Sequence, residues 1–154
     1  MIFVTVGSQL PFDRLIRIMD GYAKETNEEV IGQIGKSSFR PQYIKWCEYY
    51  NPDSLNNIME SAELIVSHAG MGTIISAIKI RKPIIIFHRR HELNEVRNDH
   101  QLDTMDSFRE VEGVYPAYSQ EDLLHFLTGR PLPRPAGLVA PEREELCQYI
   151  LSML

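Results

Sequence analysis

Cysteine is scarce in this chain: Cys47 and Cys147 are the two among 154 residues, and their contexts are unrelated. Such a pair builds neither a disulfide framework nor a metal-ligand spacing, so reduced, buried thiols of a cytoplasmic protein are expected. Long apolar runs are missing as well, since nothing approaches the ~18 consecutive apolar residues that span a bilayer. The opening "MIFVTVGSQLPFD" has no basic region and turns polar almost at once. It does not read as a secretory signal, so any membrane contact should be peripheral or borrowed from a partner. Positive charge is not in excess either. A formal net charge of −5 argues against nucleic acid as a partner, because that needs a basic face.

Several motifs are also absent. "GQIGKSS" (32–38) comes nearest to a Walker loop but lacks four residues between its glycine and the GK pair. "VGSQLP" offers one glycine where a dinucleotide fingerprint wants three. ATP and NAD are therefore disfavoured. "FHRRHELNEVRNDH" carries His88, His91 and His100, but the spacing is not H-E-x-x-H and no cysteine joins them, so no metal is expected.

What is present alternates between two periods. Hydrophobic content of 44% and charged content of 24% suit one domain with a real core. "MIFVTV", "EEVIGQIG", "AELIVS", "KPIIIF" and a short run in "EGVYPAY" read as strands, with "QYIKW" a further candidate. Between them, Phe12, Leu15, Ile16, Met19, Tyr22 and Ala23 fall at helical spacing. "NPDSLNNIMES" offers Asp53 or Ser54 as a helix cap, and "GTIISAIKI" is an apolar helix beginning near Thr73. "HELNEVRNDHQLDTMDSF" is a polar helix-like stretch, and Ser119 with Asp122 resembles a capping box, imperfect because aspartate is short. Strands apolar on both faces and separated by helices mean a parallel sheet covered on each side, a single Rossmann-like α/β domain. That domain is expected over residues 1–128. A Pro-rich connector with four prolines in residues 129–142 and an amphipathic helix, "REELCQYILSML", make up 129–154.

In open parallel sheets, ligands bind beyond the carboxyl ends of the strands. Two polar glycine turns fall there, "VGSQLPF" and "SHAGMGTI". Gly70 and Gly72 would let a ligand approach the backbone, and the free N–H groups of the following helix start attract phosphate. Gly7, Ser8 and Gln9 add small and hydrogen-bonding groups to the same rim. Either turn alone is explained as well by tight turning; two on one rim favour a phosphorylated ligand.

"MIFVTVGSQLPFDRLI", "SHAGMGTIISA" and "KPIIIF…NEVRNDHQ" together resemble the carboxyl-terminal, nucleotide-sugar-binding half of glycosyltransferase family 28, in order over residues 1 to 127. Within it the likeness is to short bacterial polysaccharide glycosyltransferase subunits and to the cytosolic catalytic subunit of the eukaryotic dolichol-linked N-acetylglucosaminyltransferase. The resemblance implies one half of a GT-B architecture and inverting transfer from a UDP-sugar, which is a substrate; no cofactor or metal is implied. It assigns Gly7, Ser8 and Gln9 to the donor phosphates and His68, Ala69, Gly70, Gly72 and Thr73 to the diphosphate turn. Glu95, Asn98, Asp99 and Gln101 fall in the segment that relatives turn towards the donor sugar. Ser76 stands where many relatives carry a ribose-binding glutamate, and a serine cannot make the bidentate pair.

Since the length suits one half, the resemblance also implies a second polypeptide: a membrane-associated, acceptor-binding subunit that presents a lipid-linked sugar and recruits this chain to the inner face of the membrane. Exopolysaccharide or capsule synthesis is the expected setting. A self-sufficient homodimer and a non-catalytic nucleotide-sugar-binding module are the rivals. His68 is the candidate general base, with His88, His91 and His100 as chemical alternatives, although relatives often draw the base from the acceptor half. Arg89, Arg90 or Arg97 would pair with a carboxylated sugar if one faced it. Glucose, N-acetylglucosamine, galactose and glucuronate all stay open as donors.

Overall fold

Apolar runs with no polar side to alternate need cover on both faces, and they find it in one six-stranded sheet. The computed structural model describes residues 1–96, 100–137 and 148. Its strands are β1 (Ile2–Thr5), β2 (Val30–Gln33), β3 (Lys45–Cys47), β4 (Leu64–His68), β5 (Ile84–Phe87) and β6 (Val114–Ala117). All pair in parallel, in the order β3-β2-β1-β4-β5-β6. Every residue of β1 and β5 is buried. In the register, Thr5 lies between Gln33 on β2 and Ser67 on β4.

Helices α1 (Asp13–Thr26) and α5 (Gln120–Thr128) cover one face, packing Phe12, Leu15, Met19, Leu123 and Leu127 against Val4, Val66 and Phe87. Helices α2 (Pro52–Ser61), α3 (Met71–Lys79) and α4 (His100–Ser107) cover the other, around Phe3, Ile65, Ile74, Ile86 and Phe108. Asp20, on the buried side of α1, accepts from the N–H groups of Gln42, Tyr43 and Ile44, which steers the chain into β3.

Local chemistry explains most boundaries. Asn51, rather than Asp53 or Ser54, caps α2: its side chain accepts from the N–H of Ser54 at 2.9 Å, and Pro52 takes the first helical position. Ser119 caps α5, accepting from the N–H of Asp122, while Asp122 reaches past the cap to the N–H of Tyr118. The polar stretch after β5 is not one helix. It forms a 3-10 turn at His91–Leu93, stops at Asn94 in a left-handed conformation, and resumes as α4. Cys47 is exposed, not buried, on β3, the edge strand of the sheet among the described residues. Cys147 and the expected carboxyl-terminal helix lie outside the described residues, apart from Gln148.

Residues 129–137 form neither helix nor strand but lie on the domain. Arg130 donates to both carboxylate oxygens of Glu28, to Glu63 at 3.0 Å and to the Tyr22 hydroxyl at 2.9 Å. The Pro133 carbonyl accepts from the Tyr115 hydroxyl. Pro135 occupies the space a side chain at Gly113 would need, 2.7 Å between its Cα and an added Cβ. Glu28, Glu63 and Gly113 each precede a strand, so this segment crosses the amino-terminal edge of the sheet.

Candidate functional site

The strand order reverses between β1 and β4, whose following helices α1 and α3 leave to opposite faces. Loops diverging in this way open a crevice at the carboxyl ends of the strands. The turns carrying Gly7 and Gly70 border it, and His68 joins them.

The imidazole of His68 lies between the two glycines. A Cβ added at Gly7 would fall 2.6 Å from its Cε1. One added at Gly70 would fall 2.7 Å from Cε1, 2.9 Å from Cδ2 and closer still to Nε2. Gly7 also has φ +78°, which favours glycine on its own account. Gly72 differs: nothing lies within 4 Å of a Cβ built there. Thus Gly70 and Gly7 make room for a ring, whereas Gly72 faces open space. The expectation that Gly70 and Gly72 serve alike is corrected by this arrangement.

Helix α3 starts at Met71, two residues before the expected Thr73, with Gly70 as its cap. The N–H groups of Met71, Gly72 and Thr73 therefore have no acceptor within the helix, and its positive dipole end points into the crevice mouth. Ser8 and Gln9 are exposed on the facing turn, Ala69 is buried, and Thr73 is half-buried. The Ser76 hydroxyl donates to the Gly72 carbonyl at 2.9 Å, so it is satisfied inside its own helix.

Below the rim runs a row of buried polar side chains, Gln33, Thr5 and Ser67. The Thr5 hydroxyl accepts from the N–H of Gly7 at 3.2 Å and from the Gln33 amide at 3.4 Å, and Gln33 in turn accepts from the N–H of Tyr50. Ser67 Oγ lies 3.2 Å from His68 Nδ1. Burial, then the charge of Arg89, pushes the imidazole down to about 4, against an upward pull from the Thr5 backbone. A neutral ring that spaces two turns is favoured there, and a proton acceptor matched to neutral pH is not.

Two arginines tie the first turn to the segment after β5. Arg14 makes a forked pair with Glu95, at 3.0–3.3 Å, and donates to the His88 carbonyl at 2.9 Å. Arg89 donates to the carbonyls of Val6 and Leu10 at 2.7 and 2.6 Å, and its own N–H is held by Gln101 Oε1 at 2.9 Å. The guanidiniums interleave with a stacked pair of rings, Phe12 and Phe87 at 5.8 Å: Arg14 lies over Phe87 and Arg89 over Phe12. Glu95 and Gln101, expected near a donor sugar, are thus engaged in holding this segment. Asn98, Asp99 and Arg97 lie outside the described residues. Arg89 is buried against backbone instead of facing a sugar, and Arg90 pairs with Glu92 at 3.3 Å. Among the other histidines, His88 is buried beside Tyr118, with burial and then the charge of Arg14 lowering its pKa. Arg14 and the Thr5–Gln33 link were not found from sequence; polar residues closing apolar strands were the available signal.

Fold and crevice together define a Rossmann-like α/β domain, the fold of one half of a GT-B architecture. The family model for the glycosyltransferase family 28 C-terminal domain matches residues 1–121, and the chain belongs to that family. A UDP-N-acetylglucosamine transferase subunit ALG13 from Yarrowia lipolytica is 27% identical over 122 residues, covering 67% of this chain and 57% of that protein. The Homo sapiens protein of the same name is 30% identical over 114 residues, covering 66% of this chain and 10% of its own length. The chain therefore spans little more than half of the first relative and a small part of the second. An NMR solution structure of ALG13 superposes with a TM-score of 0.66 at 19% identity, covering 94% of this chain and 93% of that one. The kitacinnamycin glycotransferase gives a TM-score of 0.61 at 15% identity, covering 96% of this chain and 37% of its own. SnogD from Streptomyces nogalater, a glycosyltransferase, gives 0.56 at 18%, covering 99% and 38%. At these identities the structures share the fold.

Proposed function

We propose that this domain is the donor-binding, catalytic subunit of an inverting UDP-sugar glycosyltransferase. In this reading the diphosphate lies against the Met71–Thr73 N–H groups, with Gly7, Ser8 and Gln9 across from it. His68 borders the same space, and Gly72 admits the phosphates because no side chain stands there. An acceptor hydroxyl attacks the anomeric carbon, the bond from that carbon to the diphosphate oxygen breaks with inversion, and UDP leaves. Negative charge growing on the leaving oxygen meets fixed backbone donors and the end of a helix dipole, which lowers the barrier electrostatically. His68 remains neutral and positions the turns, while the base that takes the hydroxyl proton comes from the acceptor-binding partner. The reading invokes no cofactor.

The relatives, UDP-N-acetylglucosamine transferase subunits by name, favour UDP-N-acetylglucosamine as donor and a subunit arrangement. We extend this to a membrane-associated partner presenting a lipid-linked sugar at the inner face of the membrane, in exopolysaccharide or capsule synthesis. No helix among the described residues is long and apolar enough to cross a membrane.

One observation carries the proposal: free helix N–H groups beside a glycine with nothing within 4 Å of its missing side chain, at the β1–β4 crevice. The test is titration with UDP, followed by NMR, of the wild type and of Gly72→Glu. Because Gly72 is exposed and a Cβ built there meets nothing within 4 Å, the variant should keep its fold while the carboxylate repels the diphosphate and binding is lost. Absence of any response by the wild type at millimolar UDP would refute the reading.

A further inference from the structure

Arg89 is 4% exposed, and none of the ion pairs among the described residues includes it. Its two short bonds both leave one nitrogen, Nη2, and both end on neutral carbonyls. Its Nε is buried and has no hydrogen-bond partner among the described residues. The two carbonyls belong to Val6 and Leu10, the residues that bracket Gly7, Ser8 and Gln9. Closing a turn between two carbonyls needs donors but not a charge; burial lowers the Arg89 pKa to about 10, and Glu95, whose carboxylate is bonded to Arg14, offsets this only in part through space. The neighbouring segment already has its own anchor in the Arg14–Glu95 pair. The surplus at this position is therefore the positive charge itself, placed under the rim of the crevice.

We propose that Arg89 is a positioning residue for the donor's diphosphate: one guanidinium nitrogen pins both ends of the Gly7–Gln9 turn, while its charge, bonded to no carboxylate among the described residues, stands behind the rim on which the phosphates would rest. The inference builds on the donor-binding reading and adds a residue to it. An anion bound across the turn would add to the partial compensation that Glu95 supplies. This makes affinity depend on phosphate and not on the nucleoside, because the field acts on charge. Burial, and after it the charge of Arg89, lowers the pKa of the nearby His68.

The test compares wild type, Arg89→Gln and Arg89→Lys in titrations with UDP, inorganic pyrophosphate and uridine, with circular dichroism checking the fold. Arg89→Gln should weaken UDP and pyrophosphate by roughly tenfold or more, the scale of a lost charge-assisted contact, and leave uridine unchanged. Arg89→Lys should recover part of the loss. A folded Arg89→Gln variant that binds UDP like the wild type would overturn the proposal, and so would equal losses for UDP and uridine. If Arg89→Gln does not fold, the wild type still decides: its Arg89 Nε–H resonance should move with pyrophosphate and not with uridine, and no movement with pyrophosphate overturns the proposal. A wild type silent to UDP as well as to pyrophosphate removes the donor-binding reading itself. A wild type that binds UDP but shows no dependence on Arg89 removes only the present inference.

Discussion

Replacing Gly70 by alanine probes the packing that joins the two glycine turns. The new Cβ would sit within 3.0 Å of three atoms of the His68 ring, under the separation that real side chains keep. Rotation of the ring would give up its contact with Ser67 Oγ at 3.2 Å. Overpacking of a filled site costs about 1–3 kcal/mol, and alanine is also the poorer residue at a helix cap. In a chain of 154 residues, each kcal/mol moves Tm by roughly 2–4 °C, so Gly70→Ala should lower it by about 3–10 °C. Gly72→Ala should do the opposite. Its Cβ enters empty space at an exposed helical position, and stability should rise by up to about 1 kcal/mol from the difference in helix propensity. In the double variant with His68→Ala, the clash disappears, so the two losses should fall short of additive by about 1–2 kcal/mol. Thermal unfolding by circular dichroism measures the wild type, the three single variants and the double variant. Equal melting temperatures for the Gly70→Ala and Gly72→Ala variants, or strict additivity in the cycle, would refute the assignment of separate roles to the two glycines.

Stability should also depend on pH through His68, whose folded-state pKa of about 4 lies below the value of about 6.5 for a free imidazole. Between those limits the unfolded chain takes up the proton and the folded one resists it, so the contribution is complete above about pH 6.5 and is lost as pH falls towards about 4. Urea midpoints measured across that interval should decline, and His68→Gln should flatten the slope. At the opposite edge of the sheet, Arg130→Ala removes the contacts with Glu28, Glu63 and Tyr22 and should destabilise the domain by about 1–3 kcal/mol. Its UDP affinity should stay at the wild-type value, which thermal unfolding and a parallel titration would check.

Much of the architecture was legible because it rests on local pattern. The runs around Val4, Val66 and Ile85 are mostly apolar, as strands covered on both faces are, with Thr5 and Ser67 the buried polar exceptions near their carboxyl ends. Leu15, Met19 and Tyr22 repeat at helical spacing, and Ser119 announces its helix by a side chain that can accept from the first turn. Legibility fell where the signal was shared or short. Asn51, Asp53 and Ser54 are all good caps, and choosing among them needs the backbone conformation. Three residues of edge strand, with Lys45 and Cys47 exposed, carry little pattern, and their position is set from α1 by Asp20.

The candidate site divides in the same way. Glycine turns at strand ends, a helix start behind one of them and the likeness to glycosyltransferase family 28 were determined by the sequence alone, because backbone freedom and free N–H groups follow from residue type and order. The tertiary structure decided which glycine shelters His68 and which faces open space. It also brought Arg89 to the carbonyl of Val6, 83 positions away, and paired Arg14 with Glu95, 81 positions away. Contacts at such separations depend on strand order. Strand order is fixed by the packing of the whole sheet, to which no single stretch of chain holds the answer.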